Sequence, residues 1–371
     1  MKLAIIGAGP GGLYAALSAA KRNIAVDLFE KRKVGEGIVC GECIFDSLAI
    51  MNQPEKGLLH RVDEMVLQGL DSYPFPMSRH RKLWMMDRRI WQQELAHFAS
   101  KLGVVIHENV RITQERLRQM QQNYDWILDA SGAPSVTSRL YGFSGDYFRE
   151  YLLSHQVSLA ADFSSLWPRI KIVCSANPPA EFQPAYYWIF PKNKETANVG
   201  VVCTIREGRH ANPPHLKPLL ADFIQREGLE NAAILEKGGG MGASAMLSRL
   251  AYGNILLVGD AAGLTSSLHG GGIDMACLSG ILAVDAIVQG DAGVLRYREK
   301  LARYLSEKAS LEKVAIRKMR TLNFHDFDHL LRDITSPSIF VRFKTALRHL
   351  DMFYPTVMWF GKKKAKPDWP V

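Results

Sequence analysis

The chain begins Lys2-Leu-Ala-Ile-Ile6 and runs directly into Gly7-Ala8-Gly9-Pro10-Gly11-Gly12, with an acid further on at Glu30. Gly7, Gly9 and Gly12 supply the G-x-G-x-x-G pattern. The first allows a tight turn, the second lets backbone approach a pyrophosphate, and the third lets a helix pack closely on the strand. Pro10 suits the first position of that helix, whose unpaired N–H groups would face the phosphates. Glu30, with Lys31 beside it, can accept hydrogen bonds from a ribose diol and repels a 2′-phosphate. A bound dinucleotide without that phosphate is the expected ligand. Proton and thiol chemistry have fewer candidates: Cys40 before Gly41, Cys43, and His269 before Gly270-Gly271-Gly272-Ile273.

These residues need elements to hold them. Residues 1 to 30 read as strand, glycine turn, helix and strand, the buried parallel type. Residues 31 to 47 read as a loop, Asp87 to Leu102 as a helix, and Val104 to Ile106 and Tyr124 to Leu128 as strands. From 151 to 235 short alternating runs (170–173, 185–190, 198–204) predict an antiparallel sheet inserted in the first domain. A buried strand returns at Asn254 to Val258. Helical patterns dominate from 295, with breaks near Ser336-Pro337 and Pro355.

Within the inserted sheet, Tyr186, Trp188 and Phe190 alternate and so share one face. Three aromatics followed by Pro191 suit the wall of a pocket for an apolar chain, although an ordinary sheet core would show the same pattern.

Composition bounds the rest. The 371 residues exceed one compact core, and 47% hydrophobic with 22% charged residues is a globular composition. Residues 295–371 hold 17 Lys/Arg against 8 Asp/Glu, leaving 29 of each before them, so the net charge of +9 resides in the C-terminal part. Aromatics at Trp359 and Phe360 beside Lys362-Lys363-Lys364 could sit on an anionic membrane face, or simply form a solvated tail. Nucleic-acid binding is not expected, because the remainder is neutral and lacks a recognition motif. Five cysteines fit a reducing compartment, and a single C-x-x-C without a second pair argues against metal. A signal peptide and a spanning helix are not apparent, so a cytoplasmic location is expected.

Val258-Gly259-Asp260-Ala261-Ala262-Gly263 resembles the GD motif of FAD enzymes with the para-hydroxybenzoate hydroxylase fold, which implies that Asp260 binds the ribityl chain. Asp87-Arg88 with Trp91 and Leu95 resembles the helix whose Arg lies near FAD in those enzymes. Ala130 to Ser135 with Gly132 and Arg139 resembles their DG motif, with Ser131 in place of the Asp. Together the three imply that the dinucleotide is FAD.

The resemblance extends to the geranylgeranyl reductase family, flavoproteins that saturate isoprenoid double bonds. Cys40-Gly41 stands in the loop of that family's active-site cysteine, and Tyr186 to Pro191 matches its YxWxFP motif. Gly200 stands where the family has the first glycine of GxG, the second being replaced by Val202. Gly270 to Ile273 resembles the stretch beside the isoalloxazine, with Ser267 and His269 in place of a Pro and a Thr. The implied fold is an FAD-binding Rossmann-like α/β domain (residues 1–60, 82–150 and 236–294) with an antiparallel-sheet substrate domain (61–81 and 151–235) and a basic helical C-terminal region (295–371). The implied activity is reduction of a prenyl or similarly apolar carbon–carbon double bond by hydride from reduced flavin. The proton that completes the reduction needs an acid facing the flavin. Cys40, His269 and Tyr186 are the catalytic candidates, and a Cys40–Cys43 disulfide exchanging electrons with the flavin is an alternative. NADPH, ferredoxin or a quinol would supply electrons to a monomer or weak dimer. Competing readings are an aromatic monooxygenase, a halogenase, a quinone-linked electron-transfer flavoprotein, and a flavin-binding module without chemistry.

Overall fold

The computed structural model describes residues 1–77, 82–174, 182, 185–206 and 214–352. Three sheets organise these residues. The first has six strands, in spatial order β15 (Ala251–Tyr252), β16 (Ile255–Leu257), β9 (Trp126–Asp129), β1 (Lys2–Ile6), β2 (Ala25–Phe29) and β8 (Val105–His107). All its pairings are parallel except the short β15–β16 hairpin. Leu3, Ala4 and Ile5 are fully buried, which is why this strand reads as an unbroken apolar run.

Helix α1 (Pro10–Ala20) begins with Pro10 at its first turn, and its Ala- and Leu-rich surface is buried nearly all round. It packs against α6 (Ile273–Val288) on one side and α2 (Arg88–Lys101) on another. The Asp87 carboxylate caps α2 by accepting from Ile90 N–H at 3.0 Å. Thr113 and Ser135 do the same for α3 (Gln114–Asn123) and α4 (Val136–Tyr141).

The second sheet has seven strands, ordered β14 (Ala233–Ala243), β10 (Glu150–Ala160), β13 (Thr196–Arg206), β12 (Ala185–Pro191), β11 (Ile170–Val173), β5 (Glu64–Gln68) and β6 (Ser72–Pro76). It is antiparallel apart from the β11–β5 pair. One face is closed by α5 (Leu216–Arg226), with Tyr187 of β12 stacked on Phe223 at 4.6 Å. The opposite face carries Trp188 and Phe190. A third, three-stranded sheet, β3 (Cys43–Asp46), β7 (Lys82–Met86) and β4 (Leu58–Arg61), lies beside that second face.

The C-terminal part is helical: α7 (Asp291–Thr321), α8 (Phe324–Thr335) and α9 (Ile339–Arg348). Tyr297, Leu301, Leu305, Lys308, Glu312 and Ile316 mark the buried stripe of α7 at helical spacing. Asp328 clamps α8 to the β5–β6 hairpin, accepting from Leu70 N–H at 2.7 Å and from the Tyr73 hydroxyl at 2.7 Å.

Several expectations need correction. Residues 236–243, expected in the FAD-binding part, complete the edge strand β14, since β10 is long enough to pair on both its sides. The span 31–47 is not wholly loop: Cys43 to Asp46 pair with β7. The helices also break at Leu322, where the backbone turns extended before the Asn323 cap. The lysine cluster 362–366 and the expected break at Pro355 lie outside the described residues.

Candidate active site

A cavity of about 520 Å³ opens between the six-stranded sheet and the aromatic face of the seven-stranded one. Its wall carries Gly7, Gly9, Pro10, Glu30, Lys31, Arg88, Gly132, Gly259 and Asp260, and also Cys40, Gly41, Tyr186, Trp188, Phe190, His269, Gly270, Gly271, Gly272 and Ile273. Asp260 joins the two groups, since a Cβ at Gly272 would be 3.5 Å from its Oδ1. Of the residues singled out from the sequence, Gly12, Pro191 and Gly200 are not on the cavity wall. Gly12 acts from behind: a Cβ there would collide with the Gly7 carbonyl, so it permits the turn without touching a ligand. Gly7 itself has φ of +101°, a conformation that disfavours any side chain. Gly200 lies directly behind Trp188, its partner across the strands, and Pro191 ends β12.

The first group is preorganised. Glu30 Oε2 accepts from Ala8 N–H at 2.8 Å, fixing the glycine turn against the end of β2. No side chain caps α1 or α6, and the first turns of both face the cavity. Both therefore present unsatisfied N–H groups and the positive end of a helix dipole. Asp260 is held above the usual carboxylate range by burial, opposed by the Thr265 hydroxyl at 3.2 Å and by Arg88. The Arg88 guanidinium donates to Gln92 at 2.6 Å, whereas its buried Nε has no partner. A buried orphan donor beside a carboxylate, two uncapped helix starts and a glycine turn suit a flavin dinucleotide, which would supply the missing acceptor at Arg88.

The second group is built around aromatics. Trp188 sits 6.0 Å from Tyr186 and 5.8 Å from Phe190, ring centre to ring centre. Gly41 lies against them: a Cβ there would be 3.2 Å from the Phe190 ring and 3.4 Å from Trp188 Nε1. The Cys40 carbonyl accepts from Gln156 at 2.9 Å and from Asn198 at 3.5 Å. Asn198 in turn accepts from Trp188 Nε1 at 2.8 Å. The cysteine loop is thus tied to the large sheet by two buried amides.

Residues 180–242 match the model of the geranylgeranyl reductase catalytic domain, and residues 1–161 match that of the pyridine nucleotide-disulphide oxidoreductases. The chain is 27% identical to a digeranylgeranylglycerophospholipid reductase of Methanothrix thermoacetophila, over 96% of this chain and 97% of that one. A geranylgeranyl bacteriochlorophyll reductase-like structure from Thermoplasma acidophilum superposes with a TM-score of 0.76 at 20% identity, covering 96% and 98% of the two chains. This chain is a geranylgeranyl reductase-like, FAD-dependent oxidoreductase. A flavin-dependent brominase shares its fold at TM-score 0.64 and 18% identity, with 95% of this chain and 99% of that one covered.

In this flavoprotein the candidate proton donors differ in state. The Tyr186 hydroxyl donates to the His269 carbonyl at 2.7 Å, and burial pushes its pKa upward. His269 is pushed the other way, by burial first and by the Lys308 ammonium second, so its ring stays neutral at ordinary pH. Its Nδ1 accepts from Gly271 N–H at 3.2 Å. The ring is thus braced between the glycine loop and α7. Cys40 and Cys43 are both free thiols, and burial raises the Cys43 pKa strongly.

The sequence reading missed Gln92, Gln156 and Asn198. Gln92 bridges Arg88 and the Ala8 carbonyl, the latter at 3.2 Å. Asn198 was visible as one amide interrupting the apolar run of β13; Gln156 and Gln92 carry no such signal.

Proposed function

We propose that this flavoprotein reduces carbon–carbon double bonds of a prenyl lipid. Reduced FAD, when bound, supplies the hydride. Gly7, Gly9, Pro10, Glu30, Lys31, Arg88, Gly132, Gly259 and Asp260 hold the dinucleotide, with Gly270 to Ile273 beside its ring. Tyr186, Trp188 and Phe190 line up the apolar chain and exclude water. Cys40 delivers the proton that completes each reduction, because its thiol lines the cavity next to Gly41, which is pressed on the Trp188 and Phe190 rings, and His269 is held neutral. NADPH, ferredoxin or a quinol serves as electron donor, and the protein works at a membrane surface.

The observation that carries the reading is the Cys40-Gly41 loop pressed against the Trp188 and Phe190 rings within the same cavity as the dinucleotide cradle. The relatives named digeranylgeranylglycerophospholipid reductase support the substrate class. The test is anaerobic. Dithionite-reduced protein is mixed with a detergent-dispersed geranylgeranyl lipid, and flavin reoxidation is followed together with the product mass. A gain of two mass units per double bond is expected. Reoxidation by oxygen alone, with a hydroxylated or halogenated product, would establish the oxygen-dependent chemistry of the fold neighbours instead.

A further inference from the structure

Helix α9 carries an apolar face that nothing in the described structure covers. Ile339, Phe340, Phe343, Leu347 and the following Leu350 are 78%, 72%, 62%, 55% and 59% exposed. At 100° per residue the four within α9 occupy one continuous arc of about 100°. Arg342 flanks the arc on one side, Lys344 and Arg348 on the other, and all three are exposed. Asp351, which follows Leu350 in the chain, is neutralised by Lys318 at 3.2 Å and Arg317 at 3.8 Å. The opposite side of the helix is anchored: Thr345 is buried, and its hydroxyl donates to Asp333 of α8 at 3.4 Å. Through the Asp328 clamp, α8 is fixed to the β5–β6 edge of the large sheet. The apolar arc is therefore held rigidly outward and is not a fraying end.

We infer that α9 docks in the plane of an anionic lipid bilayer, its apolar arc within the acyl boundary and Arg342, Lys344 and Arg348 on the phosphates. The argument is charge complementarity. Large apolar side chains bracketed on both sides by cations, on a helix too short to span, match a bilayer interface, where basic side chains reach the headgroups from an apolar face. The inference rests on the proposed lipid substrate and names the surface through which the protein would meet it. The sequence beyond α9 continues the same chemistry, with Trp359 and Phe360 ahead of four lysines between 362 and 366.

The test is co-sedimentation of the full-length, FAD-loaded protein with vesicles of phosphatidylcholine alone or with 30% phosphatidylglycerol as probe. Binding is expected to the anionic vesicles and to fall with added salt. Phe340→Ser with Phe343→Ser should lower it by about tenfold or more. Arg342→Gln with Lys344→Gln should weaken the preference for phosphatidylglycerol. Unchanged vesicle binding by both double variants would overturn the inference. So would a dimer in solution that the phenylalanine variant converts to monomer, because a second copy would then cover the face. A lowered melting temperature with unchanged vesicle binding would also overturn it, placing the chain's own tail there. Reduction of detergent-dispersed lipid separates the two proposals: the variants should keep wild-type turnover, and failure of the wild type in that assay would remove the substrate reading without affecting vesicle binding.

Discussion

Adding one methyl group at Gly200 should disturb the pocket although Gly200 does not line it. Gly200 stands opposite Trp188 in the β12–β13 register, and the indole lies over it. A Cβ at this position would come within 2.5 Å of Trp188 Cη2 and 2.6 Å of Cε2, and nearer still to Cζ2. The indole cannot bend away. It is 5% exposed, flanked by Tyr186 and Phe190, and bonded through Nε1 to Asn198. Overpacking of this kind costs about 1–3 kcal/mol. Loss of the Trp188–Asn198 hydrogen bond adds about 0.5–1.5 kcal/mol. Gly200→Ala should therefore destabilise by about 2–4 kcal/mol, a fall in Tm of about 3–5 °C for a chain of this length. Since Asn198 also donates to the Cys40 carbonyl, turnover should fall with stability. Thermal melts by circular dichroism, together with steady-state reduction of a prenyl substrate, make the measurement. Trp188→Phe in the same chain should recover part of the lost stability, because a smaller ring relieves the overlap. A Gly200→Ala protein that melts like wild type, or a double variant no better than the sum of the singles, would refute the assigned packing.

Other outcomes follow from the same geometry. Glu30→Gln weakens a charge-assisted bond to Ala8 N–H worth about 1.5–3 kcal/mol. It should raise the FAD dissociation constant by about 10- to 100-fold in fluorescence titration of the apoprotein; a change under twofold would show that the turn is set without the carboxylate. Cys40→Ala should leave FAD bound and reduce turnover by about 100-fold or more if the thiol delivers the proton. Wild-type kcat in that variant would exclude it. Burial raises Asp46 from 3.8 to about 6, against opposing bonds from Ile50 and Met51 N–H. The folded protein then binds the extra proton between those values, so Asp46 makes stability decline as pH rises from about 4 to 6. Asp46→Asn should flatten that part of the urea-midpoint profile, and an unaltered slope would contradict the burial argument.

The cofactor cradle was legible because its chemistry is local in the chain. Gly7 to Gly12 must turn a strand into a helix, and Glu30 must end the next strand, so spacing alone carries the geometry. The alternation of Tyr186, Trp188 and Phe190 likewise fixes a shared face, although only the cavity tells pocket from core. What the sequence hid depends on partners far apart. Gln156 and Asn198 reach Cys40 over separations of 116 and 158 residues, and nothing local marks either as its partner. The Lys308 ammonium, on α7, lies 3.2 Å from the His269 ring, a neighbour the sequence does not announce. The exposed arc of α9 was equally hidden, since an amphipathic pattern predicts a buried stripe as readily as a free one.

The packing of α1 on α6 has a mechanical consequence. A Cβ at Gly280 would lie 3.1 Å from Ala15 N and closer to the Gly11 carbonyl, and one at Gly11 would lie 3.0 Å from the Ala276 carbonyl. The two helices meet backbone to backbone, interlocked at both glycines. Their uncapped starts, both on the cavity wall, therefore move as a single lever. Neither can retreat from the nucleotide without taking the other with it. The opposite wall is held differently, by the Gln156 and Asn198 side chains that bond the Cys40 carbonyl to the large sheet.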